Sequence, residues 1–412
     1  MGIDRLVIAG AGLAGMRAAT AARQAGFEGQ LTVVGDEPHA PYTRPPLSKQ
    51  LLAGEQEPEQ VALPGRDRFD AEWLLGTPAA AVDRQARELR LADGRSVPYD
   101  RLIIATGTRA RPWPGEGAAL RGIHTLRTLD DALALRDVLR GCPDRLVIVG
   151  AGFVGSEVAA TAAGAGVPVT LVDVAPHPVM PFGPELGALV AARHEQAGVD
   201  VRTGSGVEHF EDDGAGALAA VVLADGTRIE TAHALVALGA VPNTEWLAGS
   251  GIDPDPAVPC DATLTTLADQ DVLAAGDLAS WPHPLAGGRP VRVEHWTTAA
   301  EHGQLAGRNA LLDPGDREPH VAPPFFWSDQ YDLKLQAAGL PGQAETLEPV
   351  ERDPDGGRAV YAGRSDGRLV AVVAVNAVAR LGWYRQQLAA GAAWDDVLAA
   401  VAADEKALGA PV

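Results

Sequence analysis

Sulfur and positive charge are both scarce in this chain. Only two cysteines, Cys142 and Cys260, occur among 412 residues, and they form no CxxC or Cys-x4-Cys pair. A dithiol redox centre is therefore excluded, and no disulfide framework is indicated. Lysine and arginine number 34 against 54 aspartates and glutamates, giving a formal net charge of −20. Such a chain repels phosphate polyanions, which argues against nucleic acid as a partner. The ten histidines form no HExxH motif and no Cys/His ligand spacing, so no metal site is expected. No stretch reaches the ~20 uninterrupted apolar residues of a membrane-spanning helix. The N-terminus runs into a strand pattern without the charged and apolar regions of a signal peptide. These absences lead to the expectation of a soluble, cytoplasmic protein. Hydrophobic residues make up 46% of the chain, enough to bury cores, and its length implies two or three domains.

One pattern occurs twice. Arg5 to Glu37 reads RLVIAGAGLAGMRAATAARQAGFEGQLTVVGDE. The apolar run Leu6-Val7-Ile8 predicts a buried parallel strand. Gly10, Gly12 and Gly15 follow as GxGxxG, then an Ala-rich helix ended by Gly26, then a second strand from Leu31 to Val34 that ends at Asp36 and Glu37. This is the order of a dinucleotide-binding unit. The first glycine permits the tight turn, the second lets backbone approach a pyrophosphate, and the third allows helix–strand packing. The helix N-terminus supplies free N–H groups and partial positive charge. Arg145 to Asp173 repeats all of it: Leu146-Val147-Ile148, then Gly150, Gly152 and Gly155, then Gly166, with Asp173 closing the second strand. Two copies indicate two dinucleotide sites.

Between and beyond the copies, other junctions stand out. Pro38, Pro41, Pro45 and Pro46 keep the loop after Glu37 from a regular helix or central strand until Leu47. Arg44 and Lys49 lie in this loop, just past the strand's C-terminal edge, where a ligand sits in such folds. Asp93-Gly94 and Asp225-Gly226 predict hairpin turns. Thr128 is a plausible N-cap for the helix that follows. The strand RLIIATG, Arg101 to Gly107, is mirrored by ALVALG, Ala234 to Gly239. A third strand-to-glycine junction, Val272 to Asp277, places an acid at a strand end, suited to a polyol. VRVEHW, including Glu294, precedes a helix over Thr297 to Leu312, with Thr297 or Thr298 as its cap. From His320 onward the glycine fingerprint is absent. Strands are predicted over Arg358 to Tyr361 and Leu369 to Asn376, and helices over Leu381 to Ala390 and Trp394 to Leu408.

PYTRPPLSK, ATG, the second GAGFVGSE, LGAVPN, AAGD, VEHW and FFWSDQYDLKLQ all occur in one family in this order. From Arg5 to about Leu388 the chain resembles the NADH-dependent ferredoxin reductases of bacterial oxygenase and cytochrome P450 systems, flavoproteins related to glutathione reductase. The resemblance implies an α/β fold of two Rossmann-like domains, for FAD and NAD, plus a C-terminal α+β domain. The expected FAD domain is discontinuous, 1–110 and 241–319. The NAD domain spans 111–240 and the C-terminal interface domain 320–412. The family also implies roles. Gly10, Gly12 and Gly15 would hold the FAD pyrophosphate and Asp36 the adenosine ribose. Arg44, Lys49, Arg127, Glu294 and Trp296 would contact FAD, with Ala79 at its adenine end. Ala105, Thr106 and Gly107 would lie along it, Asp277 would hold its ribityl chain, and Trp327 would stack beside the flavin. Gly150, Gly152, Gly155 and Gly239 would line the NADH site. Asp173 would bond the ribose 2′-hydroxyl, favouring NADH over NADPH. Glu157, two residues past the fingerprint in the first helical turn, would pair with Lys49. Lys49, Glu157 and Trp327 would form the catalytic set. Where the family carries an arginine after the second acid, Met180-Pro181-Phe182 stand instead.

The implied activity is ferredoxin–NAD(+) reduction chemistry: hydride from NADH to FAD, then single electrons to an iron–sulfur ferredoxin of 2Fe-2S, 3Fe-4S or 4Fe-4S type. Arg289, Arg292, Arg308, Arg380 and Arg385 are candidates for a local basic docking patch. Two alternatives remain: an NADH reductase of another acceptor such as rubredoxin, or an NADH-sensing flavoprotein like apoptosis-inducing factor. Oxidase relatives with a redox cysteine beside the flavin are disfavoured, because the loop after the first acid holds no cysteine.

Overall fold

The computed structural model describes residues 3–353, 357–404 and 408. The chain forms two compact units. One comprises Met1–Thr43, Ala62–Arg109 and Val241–Phe326, the other Arg44–Val61, Ala110–Ala240 and Trp327–Val412. The loop segment from Arg44 to Val61 folds with the second unit, and the C-terminal region shares that unit with the second fingerprint.

In the first unit the six-stranded sheet has the order Thr265–Thr266, Asp269–Ala274, Arg101–Ile104, Arg5–Ala9, Gln30–Val34, Glu72–Leu74. All neighbours are parallel except the outer pair Thr265–Thr266 with Asp269–Ala274. Leu6, Ile8, Leu102, Ile103, Ile104, Leu273 and Ala274 are wholly buried, as continuous apolar runs in a sheet covered on both faces must be. The fingerprint helix Leu13–Gln24 packs on the helix Trp296–Asn309. Gly303 and Gly307 face it so closely that a Cβ at either would collide with the carbonyl oxygens of Ala14 and Ala18. Small residues four apart on both helices let the two backbones touch.

The second unit repeats the motif with five parallel strands in the order Asp200–Thr203, Val169–Asp173, Leu146–Val149, His233–Val236, Ile123–His124. The loop residue Leu52 joins its core beside Leu135, Leu146, Ile148, Val158 and Leu171. That apolar anchor explains why the loop belongs here. The helix Leu129–Arg140 begins at Thr128 with a full capping box: Asp131 N–H donates to Thr128 Oγ1, and Thr128 N–H donates to the Asp131 carboxylate. Both hairpin turns form, with Gly94 and Gly226 at positive φ.

At the C-terminus a five-stranded sheet runs Phe325–Gln330, Leu333–Gly339, Arg368–Val375, Ala359–Ser365, Leu347–Arg352. The helices Val378–Ala389 and Trp394–Ala403 follow. The predicted end of the last helix, residues 405–407, lies outside the described residues. No helix among the described residues is long and apolar enough to cross a membrane.

Candidate active site

Each fingerprint turn is built the same way. Gly10 N–H donates to Val34 O at 2.7 Å, and Gly150 N–H donates to Val172 O at 2.7 Å. Gly10 and Gly150 hold φ of +124° and +110°, a region costly for any residue with a Cβ. Side chains there would also strike the carbonyls of Ala105 and Ala237. A Cβ at Gly15 or Gly155 would collide with the carbonyl of Gly10 or Gly150, which is the close helix–strand packing the third glycine permits. Gly12 and Gly152 are the N-caps of their helices, and no side chain caps either end. A Cβ at either would meet nothing within 4 Å. Each turn thus presents uncapped helix N–H groups to open space, the arrangement a pyrophosphate fills. The chain's residues fit two dinucleotides.

The acids differ. Asp173 directly follows Val172, and its carboxylate accepts from Ala151 N–H at 2.6 Å and Ala175 N–H at 2.8 Å. In the first copy the matching position is Gly35, where a Cβ would crowd Ala11 Cβ at 2.6 Å. Asp36 is one residue later and exposed, and it accepts from Glu37 N–H at 3.0 Å. Thr77 N–H donates to Gly35 O at 2.8 Å, which brings the strand beginning at Ala79 to this edge.

Other expected residues of the first unit converge on its fingerprint. Ala105 N–H donates to Ala9 O. Thr106 Oγ1 donates to Asn243 O at 2.7 Å and Asn243 Nδ2 returns a bond to Thr106 O at 2.9 Å, while Asn243 N–H binds Gly107 O. This stitch ties the ATG turn to the VPN turn. Gly276, before Asp277, sits 3.2 Å from Ala14 Cβ when given a side chain, so Asp277 lies by the helix start. Thr108 Oγ1 donates to Asp277 Oδ2 at 3.4 Å, and Arg292 Nη1 reaches both Asp277 O at 3.1 Å and Glu294 Oε1 at 2.7 Å. Trp296 opens its helix, and its Nε1 donates to Thr43 Oγ1 at 3.0 Å. The expected cap is wrong: His295 holds the N-cap position without a side-chain bond, Thr297 Oγ1 donates to Phe325 O, and Thr298 is buried inside the helix. Burial pushes His295 down to about 4, leaving the ring neutral. His302, missed in the sequence, is buried and accepts from Gly276 N–H at 3.4 Å. Its place six residues after Trp296 carried no signal that distinguished it from a core histidine.

Arg44, Lys49, Arg127 and Trp327 fold with the second unit. Arg44 Nη1 donates to Arg127 O at 2.6 Å. The segment expected to be irregular makes a short 3-10 turn, Pro45–Ser48, because proline suits the first positions of a helical turn. That turn aims Lys49. Its Nζ meets Glu157 Oε2 at 2.6 Å, and both side chains are nearly buried. Glu157 is the fifth residue of the helix Phe153–Gly164, not in its first turn, so it points inward where a first-turn residue would face the helix entrance. Ser48 Oγ donates to Glu157 Oε2 at 2.6 Å and Ser328 Oγ to Oε1 at 2.7 Å. Both serines were overlooked, although they stand inside RPPLSK and FWSDQ. Gly239, at φ +81°, accepts from Arg111 N–H. Met180 is exposed while Phe182 packs edge-on against Phe153 at 5.0 Å.

Of the docking candidates, Arg380 is excluded. It is locked between the buried Glu351 at 2.9 Å and Asp404 at 2.8 Å. Arg292 and Arg308 pair with Glu294 and Glu318. Cys142 is exposed and Cys260 buried, with burial pushing the Cys260 thiol far up, so neither is a reactive pair.

Residues 4–303 match the family described as pyridine nucleotide-disulphide oxidoreductase, and residues 325–408 match the reductase C-terminal domain. The chain is 37% identical over 345 residues to rhodocoxin reductase of Rhodococcus erythropolis, covering 83% of this chain and 79% of that protein. It is 35% identical over 398 residues to the ferredoxin–NAD(+) reductase component of the anthranilate 1,2-dioxygenase system of Burkholderia cepacia, covering 95% and 96%. Among solved structures, the covalent putidaredoxin reductase–putidaredoxin complex matches with a TM-score of 0.89 and 33% identity over 98% of this chain and 97% of that one. With two glycine turns of one geometry and a family match over most of its length, the chain belongs to the pyridine nucleotide-disulphide oxidoreductase family.

Proposed function

We propose that this protein is an NADH-dependent, FAD-containing ferredoxin reductase that serves an oxygenase or cytochrome P450 in the cytoplasm. The observation that carries the reading is the pairing of two uncapped glycine turns with a buried Lys49–Glu157 ion pair and no dithiol among the described residues. FAD, when bound, accepts a two-electron hydride from NADH and releases electrons one at a time. Two oxidised ferredoxins therefore consume one NADH, yielding NAD+ and a proton.

In this reading Gly10, Gly12, Gly15, Asp36, Ala79, Ala105, Thr106, Gly107, Asp277, Glu294 and Trp296 hold FAD, and the sequence resemblance also assigns Arg44, Lys49, Arg127 and Trp327 to it. Gly150, Gly152, Gly155, Asp173 and Gly239 hold NADH. Asp173 presents its carboxylate to the ribose edge, and a 2′-phosphate there meets like charge. Lys49 places an ammonium beside Glu157, and the pair would stabilise the negative charge that hydride brings to a bound flavin. The relatives' printed names, a ferredoxin–NAD(+) reductase component and a putidaredoxin reductase bound to putidaredoxin, support an iron–sulfur protein as acceptor.

The test is cytochrome c reduction by the purified yellow protein with NADH or NADPH, with and without added ferredoxins. Turnover that requires ferredoxin and prefers NADH is expected. A long-lived NADH-reduced flavin without ferredoxin turnover would instead identify a sensor.

A further inference from the structure

Glu157 is also the end of a buried line of polar side chains within the second unit. Ser328 is fully buried and has one proton, which it gives to Glu157 Oε1 at 2.7 Å. A carboxylate in an ion pair only accepts. Ser328 Oγ must therefore accept from Gln330 Nε2, 3.1 Å away. This orients the Gln330 amide, itself 1% exposed, and turns its Oε1 away from Ser328. That Oε1 and the Nε2 of His194, which is fully buried, are both left without a hydrogen bond of ordinary geometry. They are neighbours: Gln330 is the group that favours a proton on the His194 ring. The other ring nitrogen, Nδ1, lies 3.0 Å from the Tyr331 hydroxyl.

Burial pushes His194 down to about 4, so the ring is neutral and bears one N–H. Burial pushes Tyr331 up to about 12, so the phenol keeps its proton. The Gln330 carbonyl can only accept, so the ring proton belongs on Nε2, and Nδ1 accepts from Tyr331. At the outer end the Arg193 guanidinium lies 4.4 Å from the Tyr331 ring centroid and pairs with Asp332 at 2.5 Å.

We propose that Tyr331, His194, Gln330 and Ser328 form a one-way chain of donors, each pointing toward Glu157, and that they are positioning residues for the Lys49–Glu157 pair. With Oε1 held by this chain, Oε2 is left to Ser48 and Lys49, which fixes where the ammonium stands. A bond from His194 Nε2–H to Gln330 Oε1 satisfies both unpaired atoms at once, removing the cost of two buried orphans. The role rests on the proposed NADH-to-flavin reaction; the direction of the chain does not.

Two measurements on the holoenzyme test it. The first is the 15N shift pattern of the His194 ring near neutral pH, assigned by its loss in His194→Gln. The Nε2–H tautomer is expected. The Nδ1–H tautomer cuts the chain at Tyr331 and overturns the proposal without reference to activity. The second is stopped-flow reduction of the flavin by NADH. Gln330→Glu keeps the size but can only accept, so it competes for the Ser328 proton. It should slow reduction on the order of tenfold or more, and Gln330→Met should slow it less. Ser328→Ala should be slow and Ser328→Thr should restore most of the rate. If Gln330→Glu and Gln330→Met both reduce flavin at the wild-type rate, the side chain merely fills space and the positioning role is wrong. If wild type shows no flavin reduction by NADH, the proposed function fails while the tautomer still decides the chain.

Discussion

The two glycine turns share one hydrogen-bond plan and a first glycine at positive φ but differ in what completes them. The second unit carries its acid on the strand itself, where Asp173 accepts two backbone N–H groups. The first has Gly35 there, because any side chain would press on Ala11, and its acid is displaced by one residue onto an exposed bend. A repeated motif therefore repeats the turn without repeating the position of the acid. The first unit compensates with remote segments: the ATG–Asn243 stitch, Asp277 after its strand, and Trp296 on a helix held against the fingerprint helix. The second instead draws in a proline loop and a C-terminal strand to surround Glu157.

The sharpest way to break this comparison is to fill the third glycine of each copy. Gly15→Val and Gly155→Val each force a side chain into a carbonyl, at a cost of at least about 3 kcal/mol. The first is expected to give colourless protein, seen as loss of the flavin absorbance. The second should keep its colour but lose NADH reduction. The reverse pattern would exchange the roles of the two units.

Next in size is Lys49→Met. It leaves a buried carboxylate with only serine donors, for a loss of about 3 kcal/mol or more in stability. It should also slow flavin reduction on the order of a hundredfold. Urea unfolding and stopped-flow reduction read the two effects separately. Unchanged reduction would remove Lys49 from the catalytic set.

A smaller effect separates the acids. Asp173→Asn sets an amide N–H against one of the two backbone donors and removes the charge facing a 2′-phosphate. The ratio of kcat/KM for NADH over NADPH should fall roughly tenfold. Asp36→Asn should leave that ratio alone and only weaken flavin retention.

Acid should destabilise the second unit through His194. Unfolded, it takes a proton near 6.5. Folded, it does so only at about 4. Between those values the unfolded chain binds more protons, so the stability conferred by the neutral ring is full above about 6.5 and is lost as pH falls toward 4. His194→Gln should flatten the urea midpoint between pH 7 and 5 by about 1–2 kcal/mol. The smallest change is expected at Arg308→Ala, whose pair with Glu318 is exposed at 3.5 Å. It should shift stability by less than about 0.5 kcal/mol.

Much of this was written locally. The three glycines, the apolar strands and the Thr128 cap are set by neighbours within a turn or strand, so their pattern appears in the sequence. Arg380 shows the limit. As a surface cation it suggested docking, but Glu351, from a strand 29 residues away, buries and neutralises it. The same holds for the helix beginning at Trp296. Threonine next to it looked like a cap, yet Thr297 bonds to Phe325 O, in a segment 28 residues on.

The sequence by itself determined that there are two dinucleotide turns, no dithiol, and an acid after each second strand, because these depend on residue type and short spacing. Only the tertiary structure decided which unit holds the proline loop, that the first acid is out of register with the second, and that Glu157 gathers Lys49, Ser48 and Ser328. Those outcomes depend on apolar anchoring by Leu52 and on hydrogen bonds spanning 109 and 171 residues. Contacts at such separation leave no local pattern to read.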